Sequence, residues 1–266
     1  MDHVYAECPW VVPQDAPELL ALFREKGRPA FVRSRTVVNF GEEPTAYLVE
    51  EGLVGTFAGG VGKYERLIVL FPPGTSVGAE KSIKGKHAIK PLIARALLPT
   101  KVLVMDAAQF KRELELDPIL CIAALKSFIR HDDAKIEGLL MNDLLTVPQR
   151  VALMVKVLFQ ALNMPLTALP KCLPKTITVT ELARLVHSDR AVVSRILAKW
   201  VEEGIVVTHD GMYFFSNKLN QQDEKRQREV KERFGSYIFF DRFFSKSIFL
   251  ARNPEYFGER FCCEKN

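Results

Sequence analysis

The side chains best suited to chemistry in this chain are arginines. Arg190 and Arg195 stand five apart, with Ser194 beside the second and Lys199 four residues on. Arg184 precedes them, and between 184 and 200 four side chains are basic and one is acidic. If the segment is helical, Val192, Val193, Ile196, Leu197 and Trp200 gather on one face and the basic groups are left on the other. A guanidinium can donate to both major-groove acceptors of guanine, and cations around it can meet phosphates. A solvated helix face would carry the same charges, so the neighbouring elements must decide between the two readings.

Those neighbours read as a compact motif. Thr178-Val179-Thr180-Glu181 has the pattern of a capping box, with Thr178 as cap and Glu181 reaching back. Leu182, Leu185 and Val186 then give a short amphipathic helix, and His187-Ser188 makes a turn. Ser188 is placed to cap the next helix, with Asp189 favourable at its positive end. Gly204 ends that helix. Val206–Thr208 and Met212–Phe215 flank Asp210-Gly211, a strong hairpin signal. Two short helices followed by a two-stranded wing predict a winged helix–turn–helix. The N-terminal part of its second helix would enter a major groove. The expected DNA contacts are Thr178, Arg184, Ser188, Arg190, Ser194, Arg195 and Lys199.

Upstream, the chain changes character twice. Residues 1 to about 35 read as irregular, with one helix at Glu18–Lys26. From 36 to about 107, short β-branched or aromatic runs alternate with glycine and proline: Val37–Phe40, Ala46–Glu50, Leu53–Phe57, Arg66–Phe71 and Lys101–Met105. This spacing indicates a sandwich or barrel. Asp117-Pro118 then opens a long helix that Val147-Pro148 breaks. Written as heptads, Ile122, Ile129, Ile136 and Asp143 take one seam position and Leu125, Asp132 and Leu139 the other. Such a seam suits a partner helix, either within the domain or across a homodimer. Asp132 interrupts it, and in a parallel dimer it would face its own copy, like charge against like. The fold class expected is α+β. A β-roll occupies 1–107, a dimerisation helix and link 108–163, the winged motif 164–216 and a C-terminal extension 217–266. The extension is rich in aromatics from Tyr237 to Phe261 and ends near Cys262-Cys263.

Composition sets outer bounds. With 266 residues, 48% of them hydrophobic, the chain can form two modest cores. Of the net charge of +5, residues from 171 onward carry +4, with 17 Lys and Arg against 13 Asp and Glu. That excess favours a polyanion partner for the C-terminal part. No run of eighteen apolar residues suggests a membrane span, and MDHVYAECPW does not read as a signal peptide. Five dispersed cysteines fit a reducing compartment rather than a disulfide framework. Together these favour a cytoplasmic protein with no membrane partner. The histidines at 3, 87, 131, 187 and 209 lack metal-site spacing. Neither a nucleophile elbow nor a phosphate-cradling glycine loop is present, so an enzyme is not expected.

Taken in order, VNFGEEPTAYLVEEGLVGTF, FPPGTSVGAE, LPTKVLVMDAAQFKREL and VTELARLVHSDRAVVSRILAKWVEEGIV resemble the cyclic-AMP receptor/fumarate–nitrate regulator (CRP/FNR) family of bacterial transcription factors. The resemblance covers roughly residues 30 to 215. It implies a homodimer with an effector-binding, cyclic-nucleotide-binding-like β-roll, a dimer helix and a DNA-binding domain on a promoter palindrome, with RNA polymerase as a further partner. Effector binding in the roll would reposition the recognition helices, an allosteric coupling of two sites. In the recognition helix, Arg190, Ser194 and Arg195 keep the family pattern, whereas Ala191 stands where the family has a glutamate that helps read cytosine. DNA contact therefore carries over and the family operator does not.

The effector side departs further. The family's cyclic-AMP phosphate is held by an Arg-Ser or Arg-Thr pair, and alignment back from Asp106 places Lys90-Pro91 there. Pro91 has neither hydroxyl nor N–H, which argues against cyclic AMP. Only Cys8 lies near the N-terminus, so a four-cysteine iron–sulfur cluster is not available. The segment from Lys81 to Lys90 carries lysines at 81, 84, 86 and 90 together with His87. It reads as an anionic small-molecule site or as an exposed basic loop. The expected pocket set is Gly78, Glu80, His87, Lys90 and Arg95. Haem on His87, with Cys8-Pro9 as a second signal, is an alternative cofactor.

Overall fold

The computed structural model describes residues 8–38, 45–59, 65–80, 92–164 and 170–219, all within one compact unit, Met1–Asp223. His87, Lys90, the aromatic extension and Cys262-Cys263 lie outside the described residues.

Eight short strands build two antiparallel sheets. They are β1 (Arg28–Val32), β2 (Val37–Val38), β3 (Thr45–Glu51), β4 (Val54–Ala58), β5 (Arg66–Phe71), β6 (Thr75–Val77), β7 (Leu92–Ala96) and β8 (Thr100–Asp106). One sheet runs β1-β8-β3-β6 and the other β2-β7-β4-β5. Strand alternation sorts their side chains. Val49 and Val77 from the first sheet meet Val38, Val54, Val69, Phe71 and Ala94 from the second in a shared core. On the opposite face of the first sheet, Ala46, Leu48, Leu103 and Met105 are covered by helices. Gly52, at φ +96, makes the turn between β3 and β4. A Cβ there would stand 2.5 Å from the Pro99 carbonyl oxygen, so both backbone angle and space call for glycine.

The helices cover the first sheet from its outer side. Helix α1 (Pro17–Lys26) places Leu19, Leu20, Leu22 and Phe23 in that core, where Phe23 lies 5.8 Å from Phe110 of α2 (Ala107–Leu116). Asp106 caps α2 by accepting from the Gln109 N–H at 2.7 Å. Asp117 caps the long helix α3 (Pro118–Leu144), accepting from the N–H groups of Ile119 and Leu120. Pro118, at the first helical position, has no N–H to lose. Thr146 and Gln149 form a capping box at the start of α4 (Val147–Ala161). The break expected at Val147-Pro148 is thus the seam between two helices.

Helix α3 has two unlike faces. Leu120, Ala123, Ala124, Ser127, His131, Ala134, Gly138 and Met141 are buried. Most are small, which lets the segment before α1 lie close. Ser127 Oγ accepts from the Ala16 N–H at 3.0 Å. His131 Nε2 lies 2.9 Å from Asp15 Oδ1, while Asp15 Oδ2 accepts from the Ser76 N–H at 2.6 Å. The other face is apolar and open: Ile119, Ile122, Leu125, Ile129, Ile136, Leu139 and Leu140 are 45–70% exposed in the single chain. Among the described residues, none covers this face of the seam. Asp132 is not the bare carboxylate expected in that seam. Lys135 Nζ sits 2.8 Å from it and 2.9 Å from Glu80. Burial opposes the Lys135 charge, but Glu80 and Asp132 outweigh it and its pKa is raised.

Three strands depart from the expected pattern. β1 lies in the stretch read as irregular. Its residues are mostly exposed, so it carries no hydrophobic alternation, and backbone pairing with β8 from Arg28↔Val104 to Val32↔Thr100 makes it a strand. β6 has only three residues, and β7 pairs Gly55↔Arg95 and Thr56↔Ala94 with β4.

Candidate nucleic-acid interface

Helix α5 (Val179–Leu185) begins where Thr178 Oγ1 accepts from the Glu181 N–H at 3.2 Å. Only this half of the expected capping box forms. The Glu181 side chain is buried and turned away, taken by Arg95 of β7 through two hydrogen bonds of 3.2 and 2.7 Å. The chain then turns through His187, at φ +53, and the Ser188 N–H donates to the Ala183 carbonyl at 2.9 Å. Ser188 does not cap the next helix. Asp189 holds the cap position of α6 (Arg190–Glu202), with no side-chain bond to the helix. Ser188 lies one residue too early and serves the turn through its backbone.

Helix α6 ends in a Schellman motif. The Ile205 N–H reaches the Trp200 carbonyl at 2.9 Å and the Gly204 N–H reaches that of Val201 at 3.1 Å, with Gly204 at φ +67. Strands β10 (Val206–His209) and β11 (Met212–Phe215) follow, in register from Val206↔Phe215 to His209↔Met212. Asp210 and Gly211 both have positive φ, 49° and 70°, as a two-residue I′ turn requires. A further strand, β9 (Lys171–Cys172), pairs with β11. It precedes the two helices of the expected motif, and at two residues it is too short for any periodicity to announce.

Val193, Leu197 and Trp200 anchor α6, and Phe215 of the hairpin stacks edge-on against Phe159 of α4 at 6.0 Å. The opposite face of α6 carries Arg190, Ala191, Ser194, Arg195 and Lys199, all exposed. Arg190 makes no ion pair among the described residues. Arg195 is tethered to its own helix, Nε donating to the Ala191 carbonyl at 3.4 Å. Lys199 lies 3.7 Å from Glu203, an exposed pair of little energetic weight. Thr178 is exposed. Arg184 is partly exposed, with Glu181 at 3.6 Å. Three of the four predicted cations therefore share one solvent-facing ridge with Ser194, and Arg184 lies on the helix before it. The arrangement offers exposed donors and positive charge, the needs of groove edges and phosphates.

His187 has a different role from that expected of a simple turn residue. Its Nε2 lies 2.6 Å from the Leu67 carbonyl of β5. Burial lowers its pKa, against the bond to Leu67. The neutral ring with Nε2–H as donor fits this contact.

Of the five residues expected to line an effector pocket, Gly78, Glu80 and Arg95 are described. Glu80 is taken by Lys135. Gly78 turns the chain at φ +81 after β6. Arg95 belongs to the outer face of its sheet: its neighbour Ala94 points into the core between the sheets, and alternation sends Arg95 the other way. For the haem alternative, the described half is Cys8, whose Sγ lies 3.2 Å from Gln160 Oε1 of α4. Among the described residues no helix is long and apolar enough to cross a membrane.

No known protein-family profile matches the chain, and no curated protein matches its sequence. Solved structures do match its fold, and many of them are CRP/FNR-family transcriptional regulators. One described as such, from Eubacterium rectale, superposes with a TM-score of 0.62 at 17% identity, over 80% of this chain and 95% of that one. The c-di-GMP-responsive global regulator CLP of Xanthomonas campestris gives 0.58 at 19%, over 76% and 100%. FixK2 of Bradyrhizobium japonicum gives 0.57 at 16%, over 74% and 96%. At these identities the likeness is one of fold.

Proposed function

We propose that this chain is a sequence-specific DNA-binding transcription regulator of the CRP/FNR family. The carrying observation is the exposed ridge of Arg190, Ser194, Arg195 and Lys199 on the second of two short helices, followed by a hairpin. In this reading α5, α6 and the hairpin are a winged helix–turn–helix, and α6 enters the major groove. Ala191 leaves the position beside Arg190 without a carboxylate, so cytosine recognition there has no acceptor. The open apolar face of α3 supports a homodimer, in which Ile122, Leu125, Ile129, Ile136 and Leu139 of two copies meet and leave the Asp132–Lys135–Glu80 group at the edge. Two reading helices then address two half-sites. The protein works in the cytoplasm, with RNA polymerase as its downstream partner.

A small molecule acting on the roll supplies the signal. The lysines of the Lys81–Lys90 segment suit an anion, with haem on His87 as the alternative. Incubation of the purified protein with a random-sequence duplex pool tests the reading. Enrichment of a two-fold-symmetric site supports it, and failure to enrich any sequence above background refutes it.

A further inference from the structure

A buried ionic contact joins the strand sheet to the first helix of the reading unit. Arg95 of β7 takes both carboxylate oxygens of Glu181 in a fork, at 3.2 and 2.7 Å. Glu65 Oε2 lies 3.1 Å from the same guanidinium, and the three side chains are between 4 and 6% exposed. The contact is built for an arginine. Arg95 Cζ stacks 4.5 Å from the centre of the Phe57 ring. Opposite Arg95 in the ladder stands Gly55, where a Cβ would lie 2.8 Å from that ring. The missing side chain makes the space in which ring and guanidinium overlie. A lysine could offer neither the planar fork nor the stack. A second tether runs parallel, from His187 Nε2 to the Leu67 carbonyl at 2.6 Å. Both tethers hold α5 and the turn, and neither involves the outward face of α6.

A contact of this kind is a poor choice for stability alone, because desolvating the charges offsets much of their attraction. It is specific in direction, however, since only one placement of α5 closes the fork. Glu181 also ends 3.6 Å from Arg184, so the pair connects the sheet to the cationic surface. We infer that Arg95 and Glu181 are positioning residues for DNA reading: their buried fork fixes the orientation of α6 relative to the roll, and so the spacing of the two reading helices in a dimer. The inference rests on the DNA-binding reading above. It separates two kinds of affinity. A single half-site needs only the intact ridge of Arg190 and Arg195. A full two-half-site duplex also needs the two ridges at a set spacing.

The test uses the full-length chain, the duplex enriched by the wild type from a random pool, and one half-site of that duplex. Glu181→Gln keeps shape while removing the charge, Arg95→Lys keeps charge while removing the fork, and Glu51→Gln breaks an exposed roll pair with Lys101 as a control. Fluorescence transfer is read between labels on unnatural residues at 30 and 207, both exposed, with excess unlabelled chain so that each dimer carries one labelled copy. Expected for Glu181→Gln and Arg95→Lys is a broadened distance distribution. Full-site binding should weaken about tenfold or more relative to half-site binding, since losing one partner of a buried charge pair is costly. Glu51→Gln should change neither. An unchanged distribution, or a broadened one with an unchanged affinity ratio, overturns the positioning role. If the wild type enriches no duplex at all, the DNA-binding reading itself falls, an outcome distinct from unchanged ratios.

Discussion

Replacing Ile129 by alanine tests the dimer face quantitatively. Ile129 sits midway along α3 and is 62% exposed in the single chain, so a partner helix would have most of that side chain left to cover. Alanine removes three carbon groups, worth about 0.8 kcal/mol each when fully buried. Scaled by the exposed fraction, the loss is about 1.5 kcal/mol per chain, and about 3 kcal/mol for the two copies in a dimer. That is roughly a hundredfold or more in the dimer dissociation constant. Because the side chain makes little of its contact within its own chain, unfolding of the isolated monomer should move by less than about 0.5 kcal/mol. Sedimentation equilibrium over a wide concentration range measures the first quantity, and urea unfolding at low concentration the second. A dimer constant within threefold of wild type refutes the assignment of this face. A large loss of monomer stability would show instead that Ile129 packs inside its own chain.

Two further outcomes follow from the packing and the titrating groups. Gly138→Ala places a Cβ against the indole of the buried Trp10, so calorimetry should show destabilisation by about 1–3 kcal/mol, the usual cost of overpacking; an unchanged melting temperature would mean that Trp10 is free to move. Burial first, and then the nearby Arg66 and Arg150, push the His187 pKa below its ordinary 6.5, against the Leu67 bond and Asp143. A depressed histidine pKa leaves the folded state unpenalised at neutral pH and costs stability as pH falls below about 6.5, where the unfolded chain takes up the proton first. The urea midpoint of wild type should therefore fall more between pH 7.5 and 5.5 than that of His187→Gln, and equal falls would refute the buried neutral ring.

Features set by local chemistry were legible in the sequence. Asp210-Gly211 made its hairpin, Gly204 ended its helix, and Asp117-Pro118 opened the long helix, because each acts through its own backbone or its nearest turn. Features set by distant partners were not. Thr178 to Glu181 satisfies the capping-box pattern, yet Glu181 is taken by Arg95, 86 positions away in sequence, and no local pattern encodes that competition. The face that Arg95 presents is set by the pairing of its strand with β4, which no local pattern announces. β1 escaped notice because an exposed edge strand shows no apolar alternation. In the candidate interface, the cations were identified from charge and helical period alone; the anchoring of their unit to the sheet was not.

The claim that α6 reads DNA is tested most directly by the affinity of Arg190→Ala and Arg195→Ala for the duplex selected by wild type, measured across a series of salt concentrations. If both side chains meet DNA, each substitution weakens specific binding by roughly 5- to 150-fold when it removes a base contact, or lowers the salt slope by about one when it removes a phosphate contact. Folding should be unaffected, since both side chains are exposed. Affinities and salt slopes indistinguishable from wild type in both variants would contradict the account and place the reading surface elsewhere.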